Sequence, residues 1–224
     1  MKDKLYVYGS SGHGLVAADI AKAVGYKDII FIDDGKNKFI SYDKEKLDKN
    51  IPFIIAIGDN YIREKLFYKV LKDGFQIISL IHPKSIISKN VQLDMGIVVM
   101  PNVVINTKSN IGKGVILNTS CVVEHENIVE DFVHISPNVA LAGNVKVGEF
   151  THIGIGSNII QGITVGKKCI VGGGSMVIKD IKEASRVVGV PAKDINILIT
   201  SAGRRVSLVK SFQKTLKELM GGKS

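Results

Sequence analysis

An aliphatic residue occupies every sixth position through the central part of this chain. From Ile81 to Val177, seventeen consecutive positions spaced six apart are Ile, Leu or Val. An α-helix repeats every 3.6 residues and a strand every two, so a sustained period of six requires a chain that turns a corner after each short strand. The pattern predicts a left-handed parallel β-helix of hexapeptide repeats, in which three hexads form one triangular coil.

Small and polar residues recur between the aliphatic positions, as in Gly143-Asn144 and Gly156-Ser157-Asn158. These residue types accept the backbone angles of tight corners. Residues eighteen apart then stack on successive coils, and their side chains build one continuous apolar column. We expect the β-helix domain over 82–193, with the regular period ending near Val177 and an extended segment with a turn at Pro191 after it.

The first 81 residues alternate between strand-like and helix-like patterns, which predicts a half-Rossmann α/β domain with a parallel sheet. The expected strands are Lys4–Tyr8, Asp28–Ile32, Phe53–Ile57 and Gln76–Ile81, and the expected helices are Gly14–Val24 and Asn60–Lys72. A third segment, 194–224, has the pattern of a basic strand, loop and helix, with the strand over Ile195–Thr200 and the helix over Val206–Met220. Its role is open between an accessory element, a fusion remnant and read-through from a neighbouring frame.

Charge and composition restrict the classes of partner. The net charge is +9, but aromatic residues make up 6% of the chain and tryptophan is absent. Nucleic-acid binding is therefore less favoured than binding of small phosphate-bearing ligands. No apolar run is long enough for a membrane span and no signal segment opens the chain, so we expect a cytoplasmic protein. Cys121 and Cys169 lack metal-ligand spacing and are expected to be buried thiols.

A glycine-rich loop, Gly9-Ser10-Ser11-Gly12-His13-Gly14, follows the first predicted strand, and Asp33-Asp34 ends the second. This layout seats a phosphate at a helix N-terminus and a ribose or base on an acid. The spacing G-x-x-G-x-G differs from the dinucleotide pattern G-x-G-x-x-G, so a nucleotide-sugar diphosphate is favoured over NAD. His13 is predicted either to donate to phosphate or sugar, or to face water. Gly58 follows the third strand at the same edge of the sheet.

Glu124-His125-Glu126 interrupts a stretch of small and aliphatic residues just after a hexad position. A carboxylate bonded to one ring nitrogen fixes the imidazole tautomer and stabilises the imidazolium that forms when the ring accepts a proton. His125 is therefore a candidate general base, and the main enzymatic use of hexapeptide prisms is acyl transfer from coenzyme A. Cys121 as a covalent nucleophile is the minor alternative.

His134 and His152 are eighteen residues apart, so they are expected to stack on one face of successive coils. The two interpretations are a polar ladder on the surface and a metal site. A zinc site on such a prism needs a third histidine and a close H-x-x-x-x-H pair, which the sequence lacks. We therefore predict no metal.

Several motifs together resemble one family. They are Tyr8-Gly9-Ser10-Ser11-Gly12-His13-Gly14, Phe31-Ile32-Asp33-Asp34, Ala56-Ile57-Gly58-Asp59-Asn60, Leu117-Asn118-Thr119-Ser120, Glu124-His125-Glu126, Ala142-Gly143-Asn144-Val145, Gly172-Gly173-Gly174 and Val188-Gly189-Val190-Pro191-Ala192-Lys193. Over 1–193 the chain is similar to the hexapeptide-repeat sugar acetyltransferases of the PglD/NeuD type.

The resemblance implies a homotrimer with acetyl-CoA in the groove between neighbouring prisms. It implies His125 as general base with Glu126 raising its basicity, and coenzyme contacts at His134, Ile155 and Gly173; a backbone N–H near Gly143 is a candidate for stabilising the oxyanion. The matching nucleotide-sugar pocket comprises Gly12, His13, Gly14, Asp33, Asp34 and Gly58. Asp59 departs from the family pattern, where Asn is frequent, and adds a charge beside this pocket.

The predicted reaction is direct acetyl transfer from acetyl-CoA to the 4-amino group of a UDP-linked amino-dideoxy sugar of the bacillosamine type. The alternatives within the fold are O-acetylation of sialic acid and N-acetylation of a GDP- or dTDP-linked amino sugar. From other classes, the alternatives are a non-catalytic nucleotide-sugar-binding scaffold and a metal-dependent hydratase.

Overall fold

A small α/β unit opens the chain in the computed structural model, which describes residues 3–35 and 38–195. Its elements are β1 (Lys4–Tyr8), α1 (Gly12–Ala23), β2 (Asp28–Ile32), β3 (Phe53–Ile55) and α2 (Asn60–Lys72). The three strands pair in parallel in the order β2-β1-β3. Both loops that precede the helices therefore leave the same edge of the sheet, where parallel sheets bind ligands.

Two boundaries in this unit differ from the sequence prediction. Ser11 has an extended backbone and serves as the N-cap of α1, so Gly12 and His13 lie in the first helical turn rather than in the loop. The predicted strand Phe53–Ile57 ends at Ile55. Its last residues turn away early because they lead into Asp59, whose side chain caps α2 by accepting from the N–H of Ile62 at 2.9 Å.

The predicted fourth strand, Gln76–Ile81, is wrong as part of this sheet. Ile77 makes a single bridge to Phe53, and Leu80–Ile81 pair instead with the β-helix. The reason is the hexad period itself: Ile81 is its first member, and the N–H of Leu80 already donates to the carbonyl of Ile97 on the next coil at 2.9 Å.

The β-helix is a triangular prism with three parallel faces, as predicted. Face 1 contains β4 (Leu80–Ile81), β7 (Val98–Val99), β10 (Ile116–Leu117), β13 (His134–Ile135), β16 (His152–Ile153), β19 (Ile170–Val171), β21 (Arg186–Val188) and the antiparallel β22 (Lys193–Asp194). Face 2 contains β5 (Ile86–Ile87), β8 (Val104–Ile105), β11 (Val122–Val123), β14 (Ala140–Leu141), β17 (Asn158–Ile159) and β20 (Met176–Val177). Face 3 contains β6 (Gln92–Leu93), β9 (Asn110–Ile111), β12 (Ile128–Val129), β15 (Lys146–Val147) and β18 (Thr164–Val165).

The second residue of each two-residue strand is the hexad aliphatic, and from Val99 to Val177 these residues are buried in one cluster. Strand partners are eighteen residues apart, as Leu117 and Ile135 are. We call the corners edge 1/2, edge 2/3 and edge 3/1 after the faces that they join. From Gly96 to Gly174, one corner residue per hexad has a positive φ, for example Asn102, Lys108 and Gly114.

The N-terminal unit packs on face 1 and on edge 3/1. Phe132 and Phe150 lie at successive corners of that edge with positive φ, an uncommon backbone region for bulky residues. Their rings stack with centroids 5.8 Å apart, and they contact Phe67 and Tyr61 of α2 at 5.4 and 4.9 Å. The strained corners are thus held by an aromatic cluster that joins the two parts of the molecule.

After Val177 the regular coils stop and the chain forms a hairpin, β21 and β22, around a cis Val190-Pro191 bond. The predicted strand and helix of the segment 194–224 lie outside the described residues, apart from Asp194 and Ile195. Within residues 3–35 and 38–195, no helix is long and apolar enough to cross a membrane.

The inward and outward positions of one face predict effects of different size for the same substitution. Ile111 points into the column and is 3% exposed, whereas Ile128 on the next strand of face 3 is 42% exposed. Ile111→Ala is expected to lower the free energy of unfolding by about 2–5 kcal/mol, since it leaves a cavity in a packed core. Ile128→Ala is expected to cost less than about 1 kcal/mol. Urea denaturation of both variants checks this, and equal losses would contradict the assigned register.

Candidate active site

His125 lies on edge 2/3, at the corner between β11 and β12. Its Nδ1 is 3.1 Å from Oε2 of Glu126, and both side chains are about half exposed. Because a carboxylate accepts, the Nδ1–H donates, and Nε2 is left with its lone pair for a substrate proton. Lys108 from the previous coil is 3.8 Å from the other oxygen of Glu126.

Gly143 lies directly above the His125 ring, one coil further along the same edge. A Cβ at this position would be 2.4 Å from Cε1 and 2.5 Å from Nε2 of His125, so any other residue would displace the imidazole. Within the described part of the chain the N–H of Gly143 has no acceptor, whereas the Gly143 carbonyl accepts from Gly162. A donor without a partner thus lies beside the basic nitrogen.

A buried amide side chain links the turns of this corner by hydrogen bonds. The side chain of Asn127 is 0% exposed; it donates to the carbonyls of Glu124 and Ala142 at 2.6 and 3.0 Å and accepts from the N–H of Val145. The carboxylate of Glu124 accepts from Asn106 at 2.9 Å rather than from His125. Glu126 is therefore the acidic partner of His125, and Glu124 serves the fold of the corner.

The glycine-rich loop closes tightly on itself before α1. A Cβ at Gly14 would be 2.0 Å from the carbonyl oxygen of Gly9, and Gly9 has φ +112°. Ser11 makes no side-chain cap and no acidic residue occupies the first turn, so the N–H groups there are not capped by the chain's own side chains. A cradle of this form suits an anion at the positive end of the helix dipole.

Asp33 and Asp34 organise the walls of this cradle. Oδ2 of Asp33 accepts from the N–H and hydroxyl of Ser10 at 2.9 and 2.5 Å. Oδ2 of Asp34 accepts from the hydroxyl of Tyr8 at 2.5 Å, while its Oδ1 accepts from the N–H of Tyr42 at 2.8 Å. Both carboxylates thus fix the loops that follow β1 and β2, which leaves fewer of their lone pairs for a ligand than the sequence suggested.

Three histidines form a column between the cradle and face 1. The rings of His134 and His152 stack with centroids 4.6 Å apart and planes 6° apart, as the eighteen-residue spacing predicted, and His13 is 6.2 Å from His134. Nε2 of His13 is buried without a hydrogen-bond partner among the described residues. His13 therefore does not face water, and its unpaired nitrogen marks a position where a ligand would supply the missing bond.

Burial holds these imidazoles neutral. It lowers the pKa of His13 to about 4, with a smaller contribution from the charge of Arg63. The pKa of His134 falls to about 3, chiefly through burial and then through repulsion from His152, Arg63 and His13. Burial also lowers the pKa of His152. At physiological pH the three imidazoles of the column are therefore uncharged, and each keeps one ring nitrogen without a proton.

The predicted coenzyme residues fall in three places on one chain. His134 is in the histidine column, Gly143 is beside His125, and Ile155 lies on edge 1/2, where a Cβ on Gly173 would contact it at 3.1 Å. Ile155 is 58% exposed, which is unusual for isoleucine and leaves an apolar ridge on that edge. Edge 2/3 and face 1 are on opposite sides of a triangular section, so one chain does not bring His125 to the column.

Two residues that organise the site were not predicted as site residues, although Asn60 belongs to one of the quoted family motifs. Arg63 is 0% exposed and donates to Gly58, and Asn60 is also buried. A signal existed, because Arg63 and Arg186 are the only arginines among the Lys and Arg of residues 1–193. Arginine is preferred over lysine where a buried planar donor must reach several acceptors.

In the part of the chain that the structure describes, the geometry favours neither a nucleophilic thiol nor a metal site. Cys121 is 0% exposed, and burial raises the pKa of its thiol to about 12, so a thiolate does not form at neutral pH. Burial raises the pKa of Cys169 as well. Among the described residues, no group of three or more His, Cys, Asp or Glu side chains is arranged to hold a metal ion.

A hexapeptide prism with a histidine–carboxylate pair on one edge and a nucleotide-type cradle on the opposite side defines a class: acyltransferases of the β-helix type with an added nucleotide-binding domain. Comparisons with known proteins agree. The model of the PglD N-terminal domain family matches residues 4–70. The chain belongs to the PglD-type family of hexapeptide-repeat sugar acetyltransferases.

Three relatives support this assignment. GDP-perosamine N-acetyltransferase of Caulobacter crescentus, solved as a histidine-to-alanine variant with CoA and GDP-perosamine, is 33% identical, with 85% of this chain and 96% of that chain covered and a TM-score of 0.82. The acetyltransferase domain of PglB from Neisseria gonorrhoeae FA1090, in complex with acetyl coenzyme A, is 36% identical, with coverages of 86% and 98% and a TM-score of 0.81. UDP-N-acetylbacillosamine N-acetyltransferase of Bacillus subtilis (strain 168) is 34% identical over 107 residues, which is 42% of this chain and half of that relative.

The neutral histidine column predicts acid sensitivity. Below about pH 6.5 an unfolded histidine takes up a proton, whereas His13 and His134 in the native state do so only near pH 4 and pH 3. The free energy of unfolding should therefore fall as the pH drops below 6.5, by about 1.4 kcal/mol per pH unit for each histidine. Urea midpoints between pH 7.5 and 4.5 test this. His134→Gln should flatten the slope by one proton, and parallel curves would contradict the assignment.

Proposed function

We propose that this protein is an acetyl-CoA-dependent N-acetyltransferase that acts on the 4-amino group of a nucleotide-linked amino-dideoxy sugar, with a UDP-linked sugar of the bacillosamine type as first candidate. The single observation that carries the proposal is the pairing of His125 with Glu126 under Gly143 on the edge of a hexapeptide prism. Such an imidazole is oriented, accessible and free at Nε2.

The proposed chemistry is direct transfer. Nε2 of His125 takes a proton from the sugar amine while the amine nitrogen bonds to the thioester carbonyl carbon. The resulting oxyanion accepts a hydrogen bond from the N–H of Gly143. The intermediate then collapses, the C–S bond breaks, and the proton on His125 passes to the departing CoA sulfur. Glu126 stabilises the imidazolium that exists between these steps. An amine is a competent nucleophile, so Cys121 is not required.

The nucleotide sugar is proposed to bind in the cradle of the N-terminal domain. The diphosphate would meet the N-terminus of α1 at Gly12 and Gly14, with Asp33 and Asp34 holding the surrounding loops and Gly58 closing the third side. The unpaired Nε2 of His13 supports this placement, because a phosphate or sugar hydroxyl would supply its missing hydrogen bond.

Under this proposal, a complete active site requires two copies of the chain. His125 lies on edge 2/3 and the cradle lies over face 1, on opposite sides of the prism. We propose a homotrimer in which His125 and Gly143 of one subunit face His13 and His134 of its neighbour. Acetyl-CoA would lie in the groove between them, along His134, Ile155 and Gly173. The exposed Ile155 supports an apolar contact at that groove.

The acceptor class is tested by a thiol-release assay with acetyl-CoA and UDP-, GDP- and dTDP-linked 4-amino sugars, with free sialic acid as the O-acetylation alternative. A UDP-linked amino sugar is expected to turn over fastest. His125→Ala is expected to lower kcat by about 10²- to 10⁴-fold, the usual contribution of a general base, and to leave acetyl-CoA binding unchanged.

Cys121→Ser is the matched control for covalent catalysis, since it alters a buried thiol four residues away and should leave kcat within about threefold. Full activity of His125→Ala would contradict the proposed mechanism. Nucleotide-sugar binding without turnover of any acceptor would favour the scaffold alternative, and turnover of sialic acid alone would favour O-acetylation.

The shared site has a separate test by mixing two inactive variants. His125→Ala chains keep an intact cradle, and His13→Ala chains keep an intact base. In a trimer that contains both variants, one of the three interfaces pairs the two intact halves, so about one third of wild-type activity should return in the mixed trimers. Co-expression with different affinity tags and assay of the doubly tagged fraction provides the measurement. A site contained in one chain would give no recovery above the parent variants.

A further inference from the structure

Arg63 of α2 is fully buried between the N-terminal unit and the prism. All five of its N–H donors have acceptors, and the acceptors are uncharged: the Asn60 side chain and five backbone carbonyls. Within the described residues it forms no ion pair. A buried charge that is compensated only by hydrogen bonds is costly, so its position needs a reason beyond packing.

The first group of acceptors fixes α2 to the prism. Nε of Arg63 donates to the carbonyl of Gly114 at 2.7 Å, and Nη2 donates to that of Phe132, one coil further on, at 2.9 Å. Asn60, which accepts from Nη2 at 2.8 Å, donates in turn to the carbonyl of Phe150 on the third coil at 2.8 Å. Carbonyls at eighteen-residue spacing on edge 3/1 thus form a ladder that receives one helix.

The second group of acceptors belongs to the nucleotide cradle. Nη1 of Arg63 donates to the carbonyls of Ile57 and Gly58 at 2.9 and 3.1 Å. The Gly58 carbonyl is also 3.3 Å from Nδ1 of His134. A carbonyl only accepts, so His134 carries its proton on Nδ1, and its Nε2 accepts from the side-chain amide of Asn118 at 3.3 Å.

We propose that Arg63 is a positioning residue of the nucleotide-sugar site, which sets the Gly58 carbonyl and the neutral Nδ1–H form of His134 across the domain interface. This inference rests on the proposed function, because it assigns the purpose of the interface to that site. Arg63 touches neither the cradle's open side nor His125, and it acts through Gly58 and His134.

The charge of Arg63 adds to this geometry. The groups that face His134 are His13 from α1, Arg63 from α2 and His152 from the prism, and Asp59 at the start of α2 partly offsets the arginine. Burial is the main cause of the low pKa values of all three histidines, and the Arg63 charge lowers each further. A fixed positive charge beneath the cradle also suits a bound diphosphate.

The decisive variant is Arg63→Lys, which keeps the charge and loses the planar fork of donors. Its matched control is Phe67→Leu, one helical turn further along α2, where the side chain packs on Phe132 and has no polar atom to donate a hydrogen bond to the cradle. Both substitutions are expected to lower the melting temperature, so nucleotide binding by the two variants can be compared at a similar loss of stability. The probes are UDP, GDP and dTDP, titrated calorimetrically into the oligomeric protein.

Arg63→Lys should weaken binding of the preferred nucleoside diphosphate by about 10- to 100-fold, the range expected when hydrogen bonds from a charged group are lost. The KM for acetyl-CoA should change less than this, because His134 is the only proposed coenzyme contact that shares an acceptor with Arg63. Phe67→Leu should change neither value by more than twofold. Ring ¹⁵N shifts should report the Nδ1–H tautomer of His134 in the wild type and a mixture of tautomers in Arg63→Lys.

Equal weakening of nucleotide binding by the two variants would reduce Arg63 to a general stabiliser and overturn the proposal. An unchanged affinity and tautomer in Arg63→Lys would overturn it as well. Wild-type protein that binds nucleoside diphosphates but transfers no acetyl group would contradict the proposed reaction alone. Failure of the wild type to bind any of the three would refute the nucleotide-sugar site, and with it this role of Arg63.

Discussion

The corner that follows each two-residue strand is the constraint on which the rest of this molecule depends. From Gly96 to Gly174 one residue per hexad adopts a positive φ, and it is Glu126 at the catalytic candidate, Asn144 above it and Phe132 at the domain contact. Such conformations cost about 1 kcal/mol or more for residues other than glycine. Stacking compensates for this, because the N–H of Glu126 donates to Thr107 on the preceding coil at 3.0 Å, and most of the other positive-φ corners repeat the bond.

Because the hexad aliphatics fill the interior, chemistry is confined to the corners and to the outward strand positions. His125 and Gly143 use a corner, and His134 and His152 use the outward position of face 1. The triangular section then sets a limit: a corner and the face opposite to it cannot share a ligand within one chain. Association of subunits is thus a chemical requirement of the proposed site, and the exposed aliphatic residues on the edges are compatible with it.

The contact between the two domains is polar as well as aromatic. Arg63 and Asn60 make hydrogen bonds across this contact, and the histidine column beside them is neutral because burial excludes water. Directional bonds define one arrangement of cradle and prism, whereas apolar packing alone tolerates sliding. These hydrogen bonds therefore hold the cradle in one position on the prism, although the cradle belongs to another domain in the sequence.

The sequence by itself determined the β-helix, its register and the pairing of His125 with Glu126, because a repeated period and adjacent residues are local information that each coil reinforces. It also placed the glycine-rich loop at the end of β1. It did not predict that the end of Gln76–Ile81 pairs with the β-helix or that Arg63 is buried. It also did not predict that Asp33 and Asp34 accept hydrogen bonds from the loops around them. Those features arise where surfaces distant in the chain meet, and solvent exclusion there decides protonation and hydrogen bonding. Only the tertiary structure brings such surfaces together.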